Sequence, residues 1–135
     1  MPNRDGMDYN IVDMKYAYAA GLFDGDGCVS VSGKSLIVSI GSVDINPLAF
    51  IFELFEGNIT DYQPKGNRQL THTWTVYGKN AGTFLRSILP YLITKKSQAL
   101  LGLALLTVAF DDESNRTPII NEIHRLNKRG IKKEG

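Results

Sequence analysis

The chain has 135 residues, of which 43% are hydrophobic, and a formal net charge of +1 at pH 7. This size and composition predict one globular domain, residues 1–135, with a core of its own, and the lone Cys28 excludes a disulfide framework or a cysteine-rich zinc site. No apolar run reaches the ~20 residues of a membrane span and the N-terminus lacks a signal-like apolar core, so we expect a soluble, intracellular protein without a membrane partner.

The first half of the chain predicts a helix, a hairpin and a second helix. Residues 14–25 have helical spacing, and residues 28–32 and 36–41 alternate with period two around Gly33 and Lys34, a pair that suits a tight turn. Asn46 and Pro47 are typical of the cap and the first position of a helix. We expect that helix to end before Gly57.

The second half predicts another hairpin followed by helices. Residues 58–77 alternate around a turn at residues 64–67, and helical patterns follow at residues 80–92, 97–110 and 118–129, the last ending at Gly130. The element order is therefore αββαββα with helical additions. It predicts an α+β fold in which an antiparallel four-stranded saddle carries helices on one face.

The first helix ends in two carboxylates, Asp24 and Asp26, each followed by a glycine. Because a helix C-terminus carries partial negative charge, these acids require compensation, and a bound metal ion would supply it. An EF-hand calcium loop is excluded, because its twelfth position would fall on Ser35. A plain polar turn between helix and strand is the alternative interpretation. Zinc is not expected, since His72 and His124 are too far apart to form a local ligand pair.

Small residues form a stripe along the same helix. Ala17, Gly21 and Asp24 or Gly25 recur three or four residues apart on one helical face. A stripe without bulky side chains lets another backbone approach closely. The pattern therefore predicts packing against a second helix, with an interface formed by Ala17, Ala20, Gly21, Asp24 and Gly25.

The segment from residue 19 to residue 27, A-A-G-L-F-D-G-D-G, resembles the signature of the LAGLIDADG homing endonucleases, with Ala19 for the first Leu and Phe23 for Ile. The resemblance extends over residues 14–110. It includes the stretch L-P-Y-L-I-T-K-K-S-Q-A at residues 89–99, which is similar to the part of the family that carries a basic residue into the active site. Because the chain has one motif, the resemblance implies a homodimer in which a second copy supplies the partner helix.

The resemblance also implies roles for individual residues. Asp26 matches the metal-binding carboxylate, with Mg²⁺ as the cofactor and Mn²⁺ as a substitute, while Asp24 would act on the helix end and the interface. Lys95 matches the basic position that orients the attacking water or stabilises developing charge. Ser42 falls on a water-organising polar position at the end of the second strand, which a register shift of one would move to Val43.

The sheet face opposite the helices is rich in hydroxyl groups. A saddle that binds duplex DNA would line this face with side chains that reach base edges and phosphates. The candidates for DNA contact are Ser30, Ser32, Lys34, Ser39, Thr60, Tyr62, Arg68, Thr71, Thr73 and Thr75. The low net charge is weak support for nucleic-acid binding, and a solvated face with Thr chosen for strand propensity is the alternative.

Three functions are compatible with these features. The leading hypothesis is a homodimeric, Mg²⁺-dependent endonuclease that binds a near-palindromic duplex and makes a staggered double-strand break. The second is an intron maturase that uses the same fold to bind structured RNA. The third is a catalytically inactive DNA-binding module. Asp26 and Lys95 favour the endonuclease.

Overall fold

The protein is described by a computed structural model that covers residues 7–66 and 69–134. Among these residues, no helix is both long enough and apolar enough to cross a membrane. The elements follow in the order α1 (Met7–Asp26), β1 (Gly27–Ser32), β2 (Ser35–Ser42), α2 (Ile45–Phe55), β3 (Asn58–Tyr62), β4 (Thr71–Tyr77), α3 (Gly78–Ile88), a short 3₁₀ turn (Leu89–Tyr91), α4 (Lys96–Leu106) and α5 (Glu113–Glu134).

The four strands form one antiparallel sheet in the order β1-β2-β4-β3. Val38 pairs with Val29 on one side and Val76 on the other, and all three side chains are buried. Ser39, the next residue, pairs with Thr75 and lies on the opposite face, because side chains alternate along a strand. The sheet therefore has an inner face that packs against helices and an outer face that is lined by polar residues.

An aromatic cluster fixes α1 and α3 against the inner face. Phe23 of α1 and Trp74 of β4 both contact Phe84 of α3, with ring centroids 5.6 and 4.9 Å from that of Phe84. All three rings are fully buried, and burying a side chain of this size stabilises the fold by roughly 1.5–3 kcal/mol. A Cβ at Gly27 would lie 2.1 Å from the Phe23 ring. The last glycine of the acidic motif is thus required by packing.

The backbone leaves α2 through an unusual conformation. Glu56 has a φ of 60° and Gly57 a φ of 101°, and the Trp74 indole Nε1 donates to the Glu56 carbonyl at 2.5 Å. A Cβ at Gly57 would lie 2.7 Å from Trp74 Nε1. Only glycine fits at Gly57, whereas Glu56 occupies a region that L residues rarely adopt.

The buried Arg116 of α5 connects three parts of the chain. Its side chain is among the described buried residues, with 6% exposure. The guanidinium donates to the carbonyl of Leu105 in the last turn of α4, to that of Val108 just after α4, and to that of Lys34 at the tip of the first hairpin. Arg116 therefore anchors the hairpin tip to the C-terminal helices.

The predicted α+β fold, the αββαββα order and the antiparallel sheet with helices on one face are confirmed. Several predicted helix starts are wrong. α1 begins at Met7 and α3 at Gly78, earlier than the predicted residues 14 and 80. Asp44, and not Asn46, caps α2, since its Oδ1 accepts from the Asn46 amide at 2.9 Å. α5 begins at Glu113, five residues before Pro118, because Asp112 accepts from the Asn115 amide at 3.4 Å and so caps the helix earlier.

Three predicted helix ends are also wrong. α4 ends at Leu106 and not at residue 110, with Thr107 as its C-cap. α5 continues through Gly130 to Glu134, because a glycine lowers helix stability without ending a helix by itself. α3 ends at Ile88 and gives way to the 3₁₀ turn that contains Pro90, since proline lacks the amide that a continued helix would use.

Candidate functional site

The carboxylate of Asp24 binds the backbone of a distant loop in its own chain. Its Oδ2 accepts from the amide of Ile93 at 2.8 Å, and its Oδ1 accepts from the amides of Thr94 and Lys95 at 3.1 and 2.9 Å. This loop leads directly into α4. The charge that opposes the dipole of α1 is therefore compensated by amides at the start of another helix, and Asp24 needs no metal for this purpose.

The Lys95 side chain also contacts Asp24. Its ammonium Nζ donates to the Asp24 carbonyl at 2.7 Å, and the residue is partly buried. A cation at this position also opposes the partial negative charge of the α1 C-terminus. Partial burial raises the pKa of the Cys28 thiol, and the neighbouring Lys95 ammonium works against this increase. Lys95 thus lies beside the last turn of α1 and close to Cys28 of β1.

Asp26, the last residue of α1, differs from Asp24 in its exposure and in its contacts. It is exposed, and no hydrogen bond or ion pair joins its carboxylate to another described residue. An open carboxylate is a suitable oxygen donor for a hard divalent cation. Within one copy of the chain, the described residues contain no group of three or more His, Cys, Asp or Glu side chains that could hold a metal ion.

Ser42 lies at the end of β2, on the inner-face side of the sheet. Its Oγ accepts from the amide of Asp44 at 3.0 Å, so the hydroxyl braces the turn into α2. Val43, to which a register shift of one would move the water-organising position, is 56% exposed and has no polar side chain. Across the ladder, Ser42 pairs with His72, which in turn pairs with Asp61.

The contact between His72 and Asp61 was not predicted from the sequence. His72 Nδ1 lies 2.6 Å from Asp61 Oδ1, and the His72 side chain retains 15% exposure. A signal was present in the sequence, because alternation along β4 places His72 on the same face as the buried Trp74 and Val76. A polar residue at an inward position requires a partner, so the pattern indicates a buried contact for His72 without identifying the second residue.

The stripe of small residues on α1 is not covered by other parts of the same chain. Ala17, Gly21 and Gly25 are exposed, and a Cβ added at Gly21 or Gly25 would meet nothing within 4 Å. Ala20, in contrast, is fully buried in the core of its own chain. Ala20 has no surface to offer a second chain and is removed from the predicted interface.

The predicted contact residues on the strands share the outer face of the sheet. Thr73 pairs with Thr60 and Thr71 pairs with Tyr62, whose side chain is 64% exposed. The same face carries Ser30, Ser32, Ser39 and Thr75. The Lys34 ammonium lies over the Phe110 ring, 5.4 Å from its centroid, at the tip of the first hairpin. The remaining candidate, Arg68, lies outside the described residues.

The comparison with protein families matches the LAGLIDADG-like domain over residues 13–89, more than half of the chain. The chain belongs to this family. The matched segment begins within α1 and ends just after α3. It includes the acidic motif, both hairpins and most of the buried core, whereas the core residues Leu92, Ala99 and Leu105 lie beyond it. No curated protein matches the chain.

Solved structures with the same fold come from homing endonucleases. A complex of the homing endonuclease I-CvuI with its target in the presence of 2 mM Ca has a TM-score of 0.69 and 23% identity, with 85% of this chain and 83% of that chain covered. I-CvuI with the I-CreI target and 2 mM Mg, where the DNA is not cleaved, has a TM-score of 0.68, 20% identity and coverages of 85% and 83%.

A third structure, the archaeal intron-encoded homing endonuclease I-Vdi141I in complex with DNA, has a TM-score of 0.68 and 20% identity, with 84% of each chain covered. At these identities the comparisons establish the fold. The LAGLIDADG-like domain described here therefore has the fold of the homing endonucleases over 84–85% of its length.

Proposed function

We propose that this LAGLIDADG-like domain is a homing endonuclease that acts as a homodimer on a near-palindromic duplex. The reaction is hydrolysis of one phosphodiester bond in each strand, which gives a staggered double-strand break. The observation that carries the proposal is the open, unpartnered carboxylate of Asp26 at the end of a helix whose other acid, Asp24, is fully occupied. The DNA complexes of I-CvuI and I-Vdi141I support a DNA substrate.

The open stripe of α1 supports the homodimer. Exposed glycines without neighbours in their own chain allow a second α1 to pack closely on Ala17, Gly21 and Gly25. Two copies of α1 that meet along this stripe across a twofold axis would bring their C-termini to one place. Each copy then contributes its Asp26 to a shared centre, and each half of the dimer contacts half of the target.

The two Asp26 carboxylates would hold the divalent ions, with Mg²⁺ as the physiological cofactor and Mn²⁺ as a substitute. Two like charges in close proximity repel each other, and this repulsion favours binding of a cation between them. Bound there, the ions supply Lewis acidity and positive charge at the scissile phosphates. I-CvuI was crystallised with DNA in the presence of Ca and of Mg, which is consistent with such a site.

Lys95 contributes a fixed positive charge beside this centre. The bonds from Asp24 to the amides of residues 93–95 hold the loop, and the contact of Nζ with the Asp24 carbonyl orients the ammonium. Its remaining N–H groups would face the phosphate, where they stabilise the charge that develops on its oxygens. A preorganised cation of this kind needs little reorganisation during the reaction.

The outer face of the sheet would bind the duplex. Hydroxyl groups such as those of Thr60, Thr73 and Thr75 both donate and accept hydrogen bonds, so they suit base edges in the major groove as well as phosphates. The exposed ring of Tyr62 adds an apolar surface for the methyl group of thymine. Readout by this face would give each half-site its specificity.

A cleavage assay on a randomised-site plasmid library tests the proposal. The wild type and Asp26→Asn are each incubated with supercoiled DNA in Mg²⁺ and in EDTA, and the linear products are sequenced at their ends. We expect linear DNA only from the wild type with Mg²⁺, while Asp26→Asn keeps its dimeric state and its affinity for DNA. Duplex binding without cleavage by the wild type would identify an inactive DNA-binding module, and binding of structured RNA alone would identify a maturase.

A further inference from the structure

Two apolar side chains lie among the hydroxyl groups on the outer face of the sheet. Ile37 of β2 pairs with Tyr77 of β4 on one side and with Ser30 of β1 on the other. Its neighbours along the strand, Leu36 and Val38, are buried in the core. Ile37 therefore points to the outer face, because side chains alternate along a strand, and its ladder partner Tyr77 lies on the same face.

This pair leaves an apolar surface open to solvent. Tyr77 is 51% exposed and Ile37 is partly exposed. Directly opposed residues in an antiparallel ladder have Cβ atoms about 4.5–5.5 Å apart, so the ring and the aliphatic side chain form one surface, the Ile37–Tyr77 patch. Ser30 lies beside the patch in the ladder, and Ser39 and Thr75 lie two residues away along the strands. The patch is thus a small apolar area within a face that otherwise offers hydrogen-bonding groups.

The major groove of DNA presents a matching pattern of groups. The edges of the bases carry hydrogen-bond donors and acceptors there and, on thymine alone, a C5-methyl group. Hydroxyl side chains suit the donors and acceptors, whereas an apolar patch suits the methyl group. A cross-strand pair of this kind also stabilises a sheet, but that contribution does not depend on the base sequence of a bound duplex. The two roles therefore differ in their response to a single methyl group on the DNA.

We propose that the Ile37–Tyr77 patch contacts the C5-methyl group of a thymine in each half-site and determines the base preference there. This inference rests on the proposed binding of duplex DNA by the outer face. Ile37 lies three residues along β2 from Ile40, the ladder partner of Gly27, which is about 10 Å at the rise of a β-strand. Because Gly27 directly follows Asp26, the patch lies away from the proposed cleavage centre. It acts on recognition of the target and not on hydrolysis.

Binding of duplexes that differ by one methyl group per half-site tests this proposal. A target is selected by affinity from a randomised duplex pool and is then synthesised with deoxyuracil in place of thymine at each symmetric pair of positions. Deoxyuracil lacks only the C5-methyl group. Affinities in Ca²⁺ and melting temperatures are measured for the wild type, Ile37→Ser, Tyr77→Ser and two controls. Tyr77→Phe retains the ring, and Leu100→Ser replaces an apolar residue of α4 that is 50% exposed.

We expect one symmetric pair of thymines at which deoxyuracil weakens binding by the wild type. Burial of one methyl group contributes about fourfold to an affinity, so the loss of both methyl groups should raise the Kd about 15-fold. Ile37→Ser and Tyr77→Ser should bind the thymine and deoxyuracil duplexes with equal affinity at these positions. Tyr77→Phe and Leu100→Ser should retain the wild-type ratio, and all variants should melt at the wild-type temperature.

Two results would overturn the proposal. The first is a wild type that binds every deoxyuracil duplex as tightly as the thymine duplex, or that selects a target without a symmetric pair of thymines. The second is a methyl effect that persists in both serine variants, because another residue, such as Tyr62 on β3, would then contact the methyl group. A wild type that binds no duplex would instead remove the DNA-binding function on which this inference rests.

Discussion

Asp24 and Asp26 are separated by one residue, and we predict that substitution of Asp24 lowers the stability of the protein whereas substitution of Asp26 does not. Asp24→Ala removes the acceptor of three backbone amides. A hydrogen bond to a charged group contributes about 1.5–3 kcal/mol, so three fully buried bonds would sum to roughly 4.5–9 kcal/mol. Asp24 is partly exposed, and water can replace some of these contacts. We therefore expect a loss of about 2–4 kcal/mol in the free energy of unfolding.

Asp26→Ala should leave the stability unchanged or increase it slightly, because it removes an unpartnered negative charge from a helix C-terminus. Urea denaturation followed by tryptophan fluorescence measures both variants, since Trp74 lies in the core. Protein concentration must be equal in all samples, because a dimer gains stability with concentration. Under the proposed function, cleavage should be lost in both variants, in Asp24→Ala because the Lys95 loop is released and in Asp26→Ala because the proposed metal ligand is absent.

Equal urea midpoints for Asp24→Ala and the wild type would refute this prediction, because they would show that the three contacts contribute nothing to the free energy of unfolding. A loss of stability in Asp26→Ala as large as that in Asp24→Ala would refute it as well. Asp24→Asn is a matched intermediate, since its amide retains one oxygen as an acceptor. It should lose less stability than Asp24→Ala.

Three further predictions concern the interface, a buried cation and a strained backbone. Gly21→Leu should fold normally, because a side chain there meets nothing in its own chain, but it should sediment as a monomer and lose cleavage; a dimer of unchanged affinity would exclude this interface. Arg116→Met should lower the free energy of unfolding by about 2–4 kcal/mol, since three carbonyls lose the guanidinium as a donor and those of Lys34 and Val108 depend on it most, whereas Arg125→Met, from an exposed pair, should change it by less than ~0.5 kcal/mol. Glu56→Gly should stabilise the protein by about 0.5–1 kcal/mol because of its positive φ, and Glu53→Gly within α2 should destabilise it by a similar amount; denaturant midpoints decide both comparisons.

The sequence predicted those features that depend on local period and on packing within one element. Alternation in β2 and β4 separated the buried Val38 and Trp74 from the outward Ser39 and Thr75 correctly, because strand geometry fixes the two faces. The structural role assigned to Asp24 agrees with its three amide contacts, although the compensating charge comes from a loop about 70 residues away and not from a metal. A sequence pattern shows that an acid at a helix end needs compensation, but not what provides it.

Contacts between distant elements were beyond the reach of sequence patterns. The pairing of Asp61 with His72 depends on the register of β3 against β4, which the loop between them leaves undetermined. Ala20 was assigned to an interface because small residues on a helix look alike whether a neighbour is in the same chain or in another one. The buried state of Ala20 and the exposed state of Gly21 follow from the position of the sheet beneath α1.

The spacing of the two acids explains how one helix end can serve both stability and chemistry. Successive residues of an α-helix are rotated by about 100° around the helix axis. Side chains two residues apart are therefore rotated by about 200° and lie on nearly opposite sides of the helix. If Asp24 faces the loop of its own chain, Asp26 must therefore point to the opposite side, away from that loop. The intervening Gly25 adds no side chain between them and leaves the stripe open. The Asp24 contacts hold the end of α1 in place, and in the proposed dimer this would position the carboxylate of Asp26 for a metal ion and for the partner's equivalent carboxylate.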